Sequence, residues 1–141
     1  MSDHELIMKV FEADLVHGDV HRRWLAAWFC RSEWIWQLLD EPGKEAVDAA
    51  FWAAGSAEIA EAWREAVADI HYVVASQRNH AAWAAANTCA PDARAGAWAA
   101  VTRGLAACGE HAAECEAALA NIVRNAPPFC HVADQIRLSS V

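Results

Sequence analysis

Residues 20–39, VHRRWLAAWFCRSEWIWQLL, decide the fold. On a helical wheel Val20, Trp24, Trp28, Ile35, Leu38 and Leu39 fall within about a third of the circumference, the stripe of a core-facing helix. Leu25, Phe29 and Trp36 widen the stripe on one side, and Trp34 flanks it on the other. An apolar arc of that width exceeds what one neighbouring helix covers. The pattern predicts a central helix touched from several sides, or one that also meets a partner.

Working outward toward the N-terminus, residues 3–17 carry an apolar set of Leu6, Ile7, Val10, Phe11 and Leu15, with Ser2 or Asp3 as N-cap. Gly18 is placed to stop this helix and Asp19 to cap the central one. Toward the C-terminus, Glu41-Pro42-Gly43 reads as a turn that ends the central helix at Asp40. A short helix over about 44–54 follows, stopped by Gly55, and Ser56 caps the next. That helix has a clean stripe of Ile59, Trp63, Val67, Ile70 and Val74, with Glu58, Glu61, Glu65 and Asp69 pointing away. The polar run Ser76-Gln77-Arg78-Asn79 predicts a break, after which an alanine-rich helix over about 80–87 runs into Pro91. Beyond it, Trp98, Val101, Leu105, Cys108, Ala112, Cys115, Leu119 and Ile122 recur at spacings of three and four. Gly104 and Gly109 each cost a helix about 1 kcal/mol relative to alanine, which allows a kink between two shorter helices. Asn125 to Pro128 ends the seam, and the last turns fall around Val132 to Leu138.

Alanine supplies about a quarter of the 141 residues, far above ordinary usage, and it is the strongest helix former. No segment alternates at period two, and there are only 6 Gly and 4 Pro. The fold class is therefore all-α: one domain over residues 1–141, a compact bundle of about five to seven helices with alanine-rich antiparallel hairpins. The segments AAFWAA (49–54), AAWAAA (81–86) and GAWAAV (96–101) each set one Trp among small residues, as closely approaching hairpins require. The eight Trp fill the shallow grooves of such helices, and some of them suit an interface instead.

A net charge of −8 argues against nucleic acid or an anionic membrane held through a basic patch, and it suits a basic protein target. Five Cys without a CxxC pair indicate neither a disulfide framework nor a zinc ribbon. Cys108 and Cys115, on one continuous helix, stand about 10 Å apart, too far for a disulfide, and read as small core hydrophobes. The polar, acidic start is unlike a signal peptide, and no apolar run is long enough to span a bilayer. The chain reads as cytoplasmic.

Three groups of residues are candidates for a site. Asp14, His17 and His21 project within about 60° of one another if the helix is continuous, and two His at i, i+4 can share a metal. Glu110, His111, Glu114, Cys130 and His131 would supply further ligands. Against this, Gly18 and Asp19 break the helix between the two His, leaving His17 as a last-turn residue favoured by the helix dipole, and no cofactor is then expected. Arg31 and Ser32 project into the apolar arc; the ordinary outcome is an Arg stem lying on apolar surface with its head in water. Arg31 with its flanking Trp24, Trp34 and Trp36 is still the first place to look for a ligand contact. Trp34, at the edge of the arc, is the expected interface residue. Tyr72, the only Tyr, lies opposite its helix's stripe and joins the candidate binding residues.

The segment EAVDAAFWAAGSAEIAEAWREA (45–66), followed by further small-residue helices to about residue 121, resembles the alanine-rich, all-helical immunity proteins encoded beside bacterial toxins. The Trp-dense residues 20–39 depart from that pattern, and no particular site residue carries over. The resemblance implies a non-enzymatic inhibitor that neutralises a protein target by direct contact; a phage anti-defence protein occluding a basic site has the same chemistry. Two other classes compete. One is a helical metalloprotein or enzyme using Asp14, His17 and His21; the other is a ligand-binding or homodimeric assembly domain whose Trp face closes a pocket or a dimer.

Overall fold

The computed structural model describes residues 2–11, 18–52, 57–70 and 77–126. Among them the chain is all-helical: α1 (Asp3–Phe11), α2 (Asp19–Cys30), α3 (Glu33–Trp36), α4 (Glu41–Trp52), α5 (Ala57–Ile70), α6 (Gln77–Thr88), α7 (Ala93–Ala107) and α8 (Ala112–Asn125), with a 3-10 turn at Gly109–His111. None of these helices is long and apolar enough to cross a membrane. The buried apolar residues of the helices join in one hydrophobic cluster, so they pack as a bundle.

Helix α2 stands at the centre, against α4, α6, α7 and α8. Trp24, Leu25, Ala26, Ala27, Phe29 and Cys30 are all buried, along with Arg22 and Arg23. Burial therefore runs around most of the helix, as the width of its apolar arc requires. Arg22 is held inside by specific bonds. Its Nε donates to the Val10 carbonyl at 2.8 Å and its Nη1 to Asp19 Oδ1 at 2.7 Å, which ties the end of α1 to the start of α2.

The helix is shorter than the sequence pattern predicts. It ends at Cys30, and Ser32 adopts an extended backbone (φ −63°, ψ 153°) before the single turn of α3. Neither Gly nor Pro marks this break; Arg31 closes α2 with its backbone N–H shared among the preceding carbonyls. The Glu41-Pro42-Gly43 segment is also not a turn but the first turn of α4. There Pro42 loses no helical hydrogen bond, and Asp40 Oδ1 accepts from the Gly43 N–H at 3.0 Å. Gly18 does not end a helix in left-handed geometry; it is the extended N-cap of α2 (φ −64°, ψ 159°), and Asp19 is already helical. Ser2 caps α1 as expected, its Oγ accepting from Glu5 at 3.1 Å.

The most extensive helix pair is α6 with α7. Small residues line it: Ala81, Ala84, Ala85, Ala97 and Ala100 are each at most 1 % exposed. Two glycines set how near the backbones come. A Cβ on Gly96 would sit 2.5 Å from the Asn87 carbonyl oxygen, and one on Gly104 would sit 2.8 Å from Phe29 Cε2 on α2. Asp92 starts α7 by accepting from the Ala95 N–H at 3.1 Å.

The seam from Trp98 to Ile122 is two helices and not one. Gly109 takes φ +56°, a value open to glycine and costly for other residues, and the chain changes direction there. Cys108 and Cys115 come to a Cα–Cα distance of 6.5 Å and form a disulfide. The expected separation of about 10 Å assumed an unbroken helix, and the break removes that premise. The pair is buried all the same. At the other end of the bundle, Arg124 donates to Asp3 at 2.7 Å and ties α8 to α1.

Candidate functional site

Helix α4 buries Gly43, Ala46, Val47 and Ala50, a stripe at helical spacing that leaves its last residue on the opposite side. That residue is Trp52, the exposed tryptophan of the described set, with 52 % of its surface open. Phe51 beside it is half-buried and faces α2. The break after Cys30 brings Arg31 over both rings, its Cζ 4.5 Å from the Phe51 centroid and 5.5 Å from that of Trp52. A guanidinium at those distances is attracted by the ring quadrupoles, worth about 0.5–1 kcal/mol when exposed and more once water is excluded. Asp48 Oδ1 lies 3.8 Å from Arg31 Nε and completes the charge pattern.

Rings continue inward from this surface. Trp52 meets Phe51 edge-on at 4.8 Å, Phe51 meets Trp28 edge-on at 6.2 Å, and Trp28 lies 5.2 Å from the buried Trp24. The exposed end is thus fixed to the core through aromatic contacts, each worth about 0.5–1.5 kcal/mol beyond its area. Beside Arg31 a cleft of about 300 Å³ is lined by Trp28, Arg31, Ser32, Phe51 and Ile122. The Ser32 hydroxyl at its wall is buried and has no hydrogen-bond partner among the described residues.

The residues singled out from the sequence distribute as follows. Arg31 is at this site. Trp24 is buried beneath it, 2 % exposed. Trp34 and Trp36 are half-buried elsewhere: Trp34 packs on the His111 ring at 5.0 Å, and the Lys44 ammonium lies 5.6 Å from the Trp36 ring. His21 is half-buried and its ring lies 5.7 Å from Trp24. Asp14, His17, Tyr72, Cys130 and His131 lie outside the described residues. Glu110, His111 and Glu114 are exposed, and among the described residues no group of three or more His, Cys, Asp or Glu is arranged to hold a metal ion.

Phe51 and Trp52 carry the site but do not stand out in the sequence reading. The signal was there: adjacent aromatics cannot share one helical stripe, so the Ala46, Val47 and Ala50 register already turns Trp52 outward. Compared with known proteins, the chain matches no family model, no curated protein and no solved structure.

Proposed function

We propose that the chain is a non-enzymatic inhibitory binding protein, of the immunity or phage anti-defence type, that neutralises a protein target through the face formed by Arg31, Phe51 and Trp52. The observation that carries this reading is the exposed Trp52, fixed on a helix and joined to Arg31 beside a cleft. Trp and Arg are the residues most enriched among binding hot spots. Here the side chains are held in place before a partner arrives, which lowers the entropy lost on association. The Ser32 hydroxyl adds a buried polar group for a partner to satisfy. The charge of −8 favours a basic target and speeds encounter with it.

A cytoplasmic location belongs to this proposal. Thiols are kept reduced in that compartment, so Cys108 and Cys115 would stand there as two buried thiols. The test is co-expression with the product of the adjacent gene, where an immunity protein's toxin would be encoded. Protection of the host by the wild-type chain, lost in Trp52→Ala at equal abundance, is the expected result. Protection undiminished by that change would remove this face from the account.

A further inference from the structure

A second cavity, of about 590 Å³, opens between α2, α5 and the α6–α7 turn, with Arg23, Ile59, Trp63, Arg64, Cys89 and Pro91 in its wall. Its volume falls within the roughly 300–1,000 Å³ typical of small-molecule sites. Among the described residues that line it, two are cations and none is a carboxylate, although the chain as a whole is strongly acidic.

Arg23 is the telling residue. It is 6 % exposed, one Nη donates to the Ala90 carbonyl, and its Nε is buried with no hydrogen-bond partner. No carboxylate of the described residues lies within ion-pair distance of it. Asp92 acts on it through space without forming an ion pair, and its carboxylate also accepts the Ala95 N–H at the start of α7. The Cys89 thiol supplies no negative charge, because burial pushes it up to about 11 and its Sγ donates to the Ala46 carbonyl at 2.7 Å. A guanidinium stays protonated in a protein, and a buried charge without a counter-charge costs several kcal/mol. Burial does pull Arg23 below its ordinary value. Arg64 lines the same cavity, its Nε turned back to the Ala60 carbonyl at 3.3 Å. Trp63, Ile59 and Pro91 supply the apolar wall.

We infer that this cavity binds a small organic anion, a carboxylate or phosphate head against Arg23 and Arg64 with an apolar body on Trp63. Arg presents parallel N–H donors that match either head group. The site shares no residue with the Arg31–Trp52 face and stands or falls independently of it.

The test is a set of NMR titrations following the Arg Nε–Hε and Trp Nε1–Hε1 signals, with phenylacetate, phenyl phosphate and the neutral phenylacetamide as probes. Saturable shifts of the Arg23 and Trp63 signals with at least one anion, and none with the amide, are expected; which anion binds identifies the head group. Arg64→Gln should weaken binding by about three- to tenfold, since one charged hydrogen bond is worth roughly 1 kcal/mol or more. Arg23→Met should abolish it while leaving the melting temperature of the free protein unchanged or raised, as expected where an unpaired buried charge is replaced by an apolar side chain. Should Arg23→Met not fold, the wild-type and Arg64→Gln titrations decide alone. Binding of neither anion, equal binding of the amide, or anion binding that survives Arg23→Met would overturn the inference.

Discussion

Replacing Gly104 by Ala separates the sequence rules from the packing. Helix propensity alone predicts a gain of about 1 kcal/mol, because glycine inside a helix costs that much relative to alanine. The bundle predicts the opposite sign. A Cβ at residue 104 would lie 2.8 Å from Phe29 Cε2 and 3.0 Å from Ile35 Cδ1, and both of those side chains are 0 % exposed. A ring locked in a close-packed interior cannot swing aside as a surface side chain does. Overpacking of this kind costs about 1–3 kcal/mol, which leaves a net loss of up to about 2 kcal/mol after the propensity gain. For a chain of this size that lowers Tm by up to about 7 °C. Thermal melts followed by circular dichroism read the effect. In Phe29→Leu the same glycine substitution should cost less, and a double-mutant cycle would expose the coupling. A Tm that rises in Gly104→Ala would refute the close approach of α7 to α2.

Further outcomes follow from the same contacts. The Cys108–Cys115 disulfide closes a short loop, so its reduction should cost about 2–3 kcal/mol on the chain-entropy account; urea melts with and without reductant measure this. The tryptic peptide Gly104–Arg124 should take up no alkylating agent before reduction and two equivalents after. Burial pushes the Cys30 thiol up to about 12 and the Cys89 thiol up to about 11. In the unfolded chain these thiols ionise from about pH 9, so their contribution to stability is complete below that pH and is lost as pH climbs toward 11–12; Cys30→Ala should flatten the decline seen in alkaline denaturant melts. Trp34→Ala removes the packing on His111 and should lower stability by about 1–3 kcal/mol, less than a fully buried Trp costs, with partner binding per folded molecule retained.

The all-α class and the central place of α2 were legible because both rest on composition and on the width of one apolar arc. Helix starts set by local chemistry were legible in part: Ser2 caps α1 as read, whereas Pro42 was read as a stop and is a start. The break at Arg31–Ser32 was not legible. It carries no Gly or Pro, and the aromatic contacts of Arg31 with Phe51 and Trp52 join residues distant in sequence. The disulfide was hidden for a related reason. Gly104 and Gly109 allow a kink in the seam, but the separation of about 10 Å between the two Cys holds only for a straight helix, and how far the positive φ at Gly109 turns the chain back follows from its path. Gly104 shows the limit of propensity arguments, since its role is to let Phe29 approach. At the candidate site, Arg31 and the buried Trp24 are legible in the apolar arc of residues 20–39, while Trp52 follows only from the register of α4.

The proposed contact surface of Trp52 and Arg31 is tested by titration calorimetry of the purified chain against the purified product of the adjacent gene, for wild type, Trp52→Ala and Trp34→Ala. A saturable complex is expected, which Trp52→Ala weakens about 30-fold or more, the loss of roughly 2 kcal/mol that defines a hot spot. The free Trp52→Ala protein should stay folded with Tm lowered by only a few degrees, since the half-open side chain gives up just its contacts with Phe51 and Arg31, about 1–2 kcal/mol together. Equal affinity for wild type and Trp52→Ala, with Trp34→Ala the variant that fails to bind, would place the contact surface around Trp34 instead.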